Sequence, residues 1–85
     1  MGLVTKVATT ETFAEDARAY AEYLASLPTI AVGFMKENLK ATEHQPLSEI
    51  LDLEAENVVR AMRTEDHQQA VAAFVNKEPV TFKGR

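Results

Sequence analysis

The chain has no cysteine, which excludes disulfide staples, thiolate nucleophiles and cysteine-bound zinc. Only 7% of its residues are aromatic; its hydrophobic set is rich in alanine, which suits closely packed helices better than a thick core. The nine basic residues form no long run and sit within a net charge of −4. A nucleic-acid surface needs a concentrated basic stripe to gain from counterion release, so that class of partner is not expected. No apolar run approaches the ~20 residues of a membrane span, and the start of the chain lacks a signal-peptide layout. These absences predict a soluble, cytoplasmic protein that binds neither nucleic acid nor membrane.

What is present is 85 residues, 46% hydrophobic and 26% charged, which is the balance of one globular domain. A chain this short buries only ~60% of the surface its unfolded form exposes, so a self-sufficient core is marginal.

Hydrophobic periodicity predicts an all-α fold of about four helices. Residues 1–11 form a short extended lead-in, whose Leu3, Val4 and Val7 need a partner edge. A helical domain covers 12–78, with helices at about 13–27, 29–42, 46–63 and 65–77, and 79–85 is an extended tail. Thr12 and Glu15 have the spacing of a capping box for the first helix. Phe13, Ala17, Tyr20, Ala21, Leu24 and Leu27 share one of its faces. Pro28 and Pro46 each suit the first turn of a following helix, where a missing amide costs nothing. In the second helix Ile30, Ala31, Val32, Phe34, Met35 and Leu39 cover so wide an arc that burial on two sides is expected. Gly33, inside it, permits close approach of a neighbour. The third helix presents Leu47, Ile50, Leu51, Val58, Ala61 and Met62. Thr64 caps the fourth, with Glu65 and Asp66 in the first turn, where the helix dipole favours negative charge. Its apolar face is Ala70, Val71, Phe74 and Val75, and it stops before Pro79.

Few residues suggest chemistry. Glu54 projects within the third helix's apolar stripe, and a desolvated carboxylate there would have the raised pKa of a general acid or base. No second group is spaced to assist it, so a glutamate paired with a buried arginine or amide is the better reading, with Asn38 as a candidate partner. His44 and His67 stand 23 residues apart without a metal-ligand pattern and fit surface or capping roles. Tyr20 and Tyr23 are read as facing different sides of the first helix, with Tyr20 a core residue. By periodicity alone Phe74 is core and Lys77 is exposed. The two lie three residues apart, so an aromatic ring and an ammonium can project toward one object.

The residues from Thr64 onward, with Thr64-Glu65-Asp66-His67, Ala72-Ala73-Phe74-Val75-Asn76-Lys77, Pro79 and Phe82-Lys83-Gly84-Arg85, resemble the carboxy-terminal signature of the enoyl-CoA hydratase/isomerase (crotonase) family. Gly2-Leu3-Val4 and Val7 resemble the family segment that follows its catalytic core. The resemblance covers the last third of such an enzyme. It implies the carboxy-terminal helical (trimerisation) domain, with trimers or hexamers of the parent and self-association, as dimers in a fragment, for the chain itself. It also implies that Phe74 and Lys77 reach a neighbouring subunit's site, where they enclose the acyl-pantetheine chain and contact the CoA phosphates. Two departures stand out: Glu78 follows Lys77 where many members have a basic residue, and Val58 stands where some members are aromatic. The oxyanion hole and catalytic carboxylates of that family lie upstream of Gly2. The chain alone is therefore expected to carry no catalytic residue, metal or cofactor and to bind acyl-CoA weakly if at all. The alternative is a free-standing, non-catalytic helical protein that self-associates or binds a partner helix.

Overall fold

A computed structural model describes residues 2–85; Met1, the first residue of the expected lead-in, lies outside them. Four helices follow in order: α1 (Phe13–Ala25), α2 (Thr29–Ala41), α3 (Leu47–Met62) and α4 (Glu65–Asn76). There is no strand among the described residues, and Leu3, Val4 and Val7 of the lead-in are exposed with no partner edge.

The helix boundaries follow local chemistry, with two departures. Thr64 caps α4 as its sequence predicts, its Oγ1 accepting the His67 amide at 3.1 Å. Thr12 does not form a capping box. Its hydroxyl instead lies 2.8 Å from that of Thr9 and donates to Asp16 at 2.9 Å, so the helix starts on a knot of side chains. Pro28 and Pro46 are the N-cap residues of α2 and α3, one position earlier than first-turn placement.

The packed seams are α2 against α3 and α3 against α4. On α3, Ile50 is buried, while Leu53 and Ala61 are half-buried. With 100° per residue, the exposed Leu47, Leu51, Val58 and Met62 form a second stripe about 60–120° away from Ile50. Of the six residues in the predicted apolar face of α3, only Ile50 and Ala61 are covered. On α2, Ala41 is buried and Ile30, Phe34 and Asn38 are half-buried, but Met35 and Leu39 are exposed. The expected sandwiching of α2 is met in part: Val32 is half-buried beside Leu24 and Leu27 at the end of α1, whereas Met35 and Leu39 stay uncovered among the described residues. α1 buries none of its residues, leaving Phe13 and Leu24 exposed. Tyr20 is half-buried, and its ring centroid lies 6.0 Å from that of Tyr23, so the two share a side instead of facing apart.

The molecule is open. Its radius of gyration is 16.6 Å, against about 12 Å for a compact domain of this length. Its accessible surface is 7181 Å², about 2,000 Å² more than a compact monomer of its mass presents. That excess is more than twice the ~800 Å² that each partner buries in a standard protein–protein interface.

The α2–α3 seam is locked by polar groups. Asn57, 2% exposed, donates to Asn38 Oδ1 at 2.7 Å and accepts from Arg60 at 3.0 Å. The Arg60 guanidinium carbon lies 4.5 Å from the Phe34 ring centroid, and its Nη1 is 3.8 Å from Glu37. Every buried side-chain polar atom among the described residues is partnered, so these groups fix the register of two helices without a desolvation penalty left open.

Candidate functional site

The outer edge of α4 carries the sequence-predicted pair. Phe74 is 85% exposed, which corrects its reading as core. The inward face of α4 is made of buried Asp66 with half-buried Ala70 and Ala73, and small residues let the backbone approach its neighbours closely. The larger Val71, Phe74 and Val75, predicted to face the core, are left outside.

Lys77 ends the helix. Its amide donates to the Phe74 carbonyl at 3.2 Å, and the Glu78 amide donates to the Ala73 carbonyl at 2.8 Å, the paired bonds of a Schellman closure. The closure places Lys77 at φ 56°, ψ 42°, where an L-residue is disfavoured by roughly 1–2 kcal/mol and glycine is the usual occupant. An exposed ammonium on a left-handed residue thus stands one turn beyond an exposed phenyl ring. Neither residue lines the best-formed cavities among the described residues, so an object held by both would be framed by another surface. Glu78 is exposed directly after Lys77 and lowers the local positive charge.

The remaining candidates are dispersed. Glu54 is exposed, because it sits at the boundary between the covered and uncovered stripes of α3; the burial that acid–base work required is missing. Its pairing with Asn38 is replaced by the Asn57–Asn38 bond. His44 is exposed in the α2–α3 connection and His67 is half-buried on α4. Among the described residues no three His, Asp or Glu side chains group as metal ligands. Val58 is exposed on α3.

Of two further residues that matter, the sequence does not single out Asn57 and marks Asp66 only as a helix-dipole residue. Asn57 projects 20° from Ile50 on α3, inside the covered stripe, which is a readable signal. Asp66 is 4% exposed and accepts the amides of Lys83 at 2.7 Å and Gly84 at 2.8 Å. Those partners lie 17 and 18 residues away, beyond the reach of local pattern. The Lys83 amide is the main influence holding its carboxyl below the ordinary value. Burial opposes it, and the backbone amides and charge of the Gly84–Arg85 end reinforce it.

The family model for enoyl-CoA hydratase/isomerase matches residues 1–85, the whole of the sequence. The chain belongs to the enoyl-CoA hydratase/isomerase family. It is 33% identical over 84 residues to the 1,2-epoxyphenylacetyl-CoA isomerase of Escherichia coli K12, covering 99% of this chain and 32% of that protein. It is 34% identical over 82 residues to the mitochondrial enoyl-CoA hydratase of Pongo abelii, covering 96% of this chain and 28% of that protein. The solved structure of an enoyl-CoA hydratase from Geobacillus kaustophilus HTA426 superposes with a TM-score of 0.80 at 31% identity, over 99% of this chain and 32% of that one. The chain thus spans about a third of the length of the relatives it matches. None of its helices is long and apolar enough to cross a membrane, among the described residues.

Proposed function

We propose that this chain is the carboxy-terminal helical part of an enoyl-CoA hydratase/isomerase-type enzyme of cytoplasmic acyl-CoA or fatty-acid metabolism, and that it serves assembly and closure of the CoA site instead of bond-making. The observation that carries the reading is the Phe74–Lys77 edge: an apolar ring and a cation, both exposed, with no cavity of their own. Phe74 offers an apolar face to an acyl or pantetheine chain, and Lys77 offers a point charge to a nucleotide phosphate. The left-handed backbone at Lys77 supports this, since glycine would close the helix with less strain and a side chain with a task explains the exception.

In this reading the thioester is polarised and its proton moved by groups outside the chain, two amides forming an oxyanion hole and one or two carboxylates. The chain contributes binding energy from a neighbouring subunit. The uncovered flanks of α2, α3 and α4 support self-association as trimers or hexamers of the whole enzyme, or dimers of this chain. Reaction type is set elsewhere.

Calorimetric titration of the 85-residue chain with acetyl-CoA and with free CoA tests the proposal. Weak binding that falls by up to about fivefold in Lys77→Ala and likewise weakens in Phe74→Ala, with no hydratase turnover, is expected. Turnover by the chain alone, or binding indifferent to both substitutions, contradicts it.

A further inference from the structure

After α4 closes at Lys77, residues 78–85 run back along the helix toward its start. The segment is fastened at its far end by three hydrogen bonds, two of them to a side chain. The carboxylate of Asp66 accepts the Lys83 and Gly84 amides, one on each oxygen, and the Asp66 amide donates to the Arg85 backbone oxygen at 2.7 Å. Beside them Arg85 Nε pairs with Glu65 at 3.2 Å. One buried side chain thus forms the clasp of the whole segment.

Two further observations show that the segment is seated and does not merely lie on the surface. Phe82 is half-buried and lines an apolar cavity of about 170 Å³ with Pro28, Ile30, Ala31, Ala61 and Ala70. Gly84 has φ +76°, and a Cβ there would meet Thr29 Oγ1 at 3.2 Å, so the backbone lies close against the start of α2. The segment therefore bridges α4 to α2, two helices whose common neighbour is α3.

We propose that residues 78–85 form an acid-releasable strap, clasped by the ionised carboxylate of Asp66, and that its release withdraws Phe82 and opens the cavity between α2, α3 and α4 while the α2–α3 seam stays folded. The proposal is independent of acyl-CoA binding. An ionised carboxylate accepts both amides, whereas a protonated one holds them less strongly. Its folded-state pKa lies below the ordinary value, so the clasp is complete at neutral pH. It weakens as pH drops below about 4 and is lost through the lowered value. The other charged or titratable groups around it are Glu65 and His67 on α4, Arg63 at the end of α3, and Lys83 and Arg85 on the strap; Pro28, Thr29 and Ile30 at the start of α2 do not titrate.

Amide hydrogen exchange read by NMR on the whole chain, each rate taken relative to the unfolded chain at the same pH, tests this. Protection of the Lys83 and Gly84 amides is expected near pH 6 and should fall by about tenfold or more in Asp66→Asn, while Ile50 and Asn57 on α3 keep theirs. In the unsubstituted chain the same loss should appear on acidification, again ahead of α3. If Asp66→Asn unfolds the chain, the acid titration decides alone. Unprotected Lys83 and Gly84 amides at pH 6, protection unchanged in Asp66→Asn, or simultaneous loss of strap and α3 protection overturns the proposal.

Discussion

On α2, Ile30, Phe34 and Ala41 pack toward α3, while Met35 and Leu39, no less apolar, lie in solvent. The two flanks differ in what meets them, not in what they are made of. The inner flank is fixed by Ala41 and by the Asn38–Asn57–Arg60 bonds, which tolerate only one register. The outer flank is covered only at Val32, half-buried beside Leu24 and Leu27; among the described residues nothing covers Met35 and Leu39. Hydrophobic periodicity reports that a face is apolar; it does not report whether the partner belongs to the same 85 residues.

Substitutions can break this contrast in order of effect. Ile50→Ala, in the covered stripe, should lower stability by about 2–4 kcal/mol in urea unfolding, through lost burial and a residual cavity. Asn57→Ala should follow at about 2 kcal/mol, because Asn38 and Arg60 lose their shared partner. Lys77→Gly should act in the opposite direction, adding about 0.5 kcal/mol by relieving the left-handed backbone against glycine's entropy. The same change should weaken acyl-CoA binding by up to about fivefold, the scale of an exposed ion pair. Glu54→Gln should move the unfolding midpoint by no more than about 0.5 kcal/mol, since an exposed carboxylate with no partner contributes little. A large loss there would mean that the uncovered stripe is in fact engaged.

Much of the fold was legible in the sequence. Thr64, Pro28 and Pro46 mark helix starts by chemistry that acts within a few residues, and the helix ends fall within two residues of expectation. The family was legible because Phe74, Lys77, Pro79, Phe82, Gly84 and Arg85 keep their spacing in a short string. The misreadings share a cause. The positions expected for Phe74 and Glu54 rest on the width of an apolar arc, and only Ala70 of the α4 arc and Ile50 and Ala61 of the α3 arc are covered. Thr12 had the spacing of a capping box, but Thr9 and Asp16 offered its hydroxyl nearer partners. Asn57 lies in a readable stripe, whereas the role of Asp66 depends on residues 17 and 18 positions away, where no local pattern reaches.

The central claim is that the bare flank of α2 is built to be covered by another surface, and sedimentation equilibrium tests it most directly. The chain should show a mass above its 9.4 kDa monomer that rises with concentration. The double substitution Met35→Lys and Leu39→Lys should return it to the monomer with its helices intact. A monodisperse monomer at high concentration, or association untouched by the two lysines, would contradict the account.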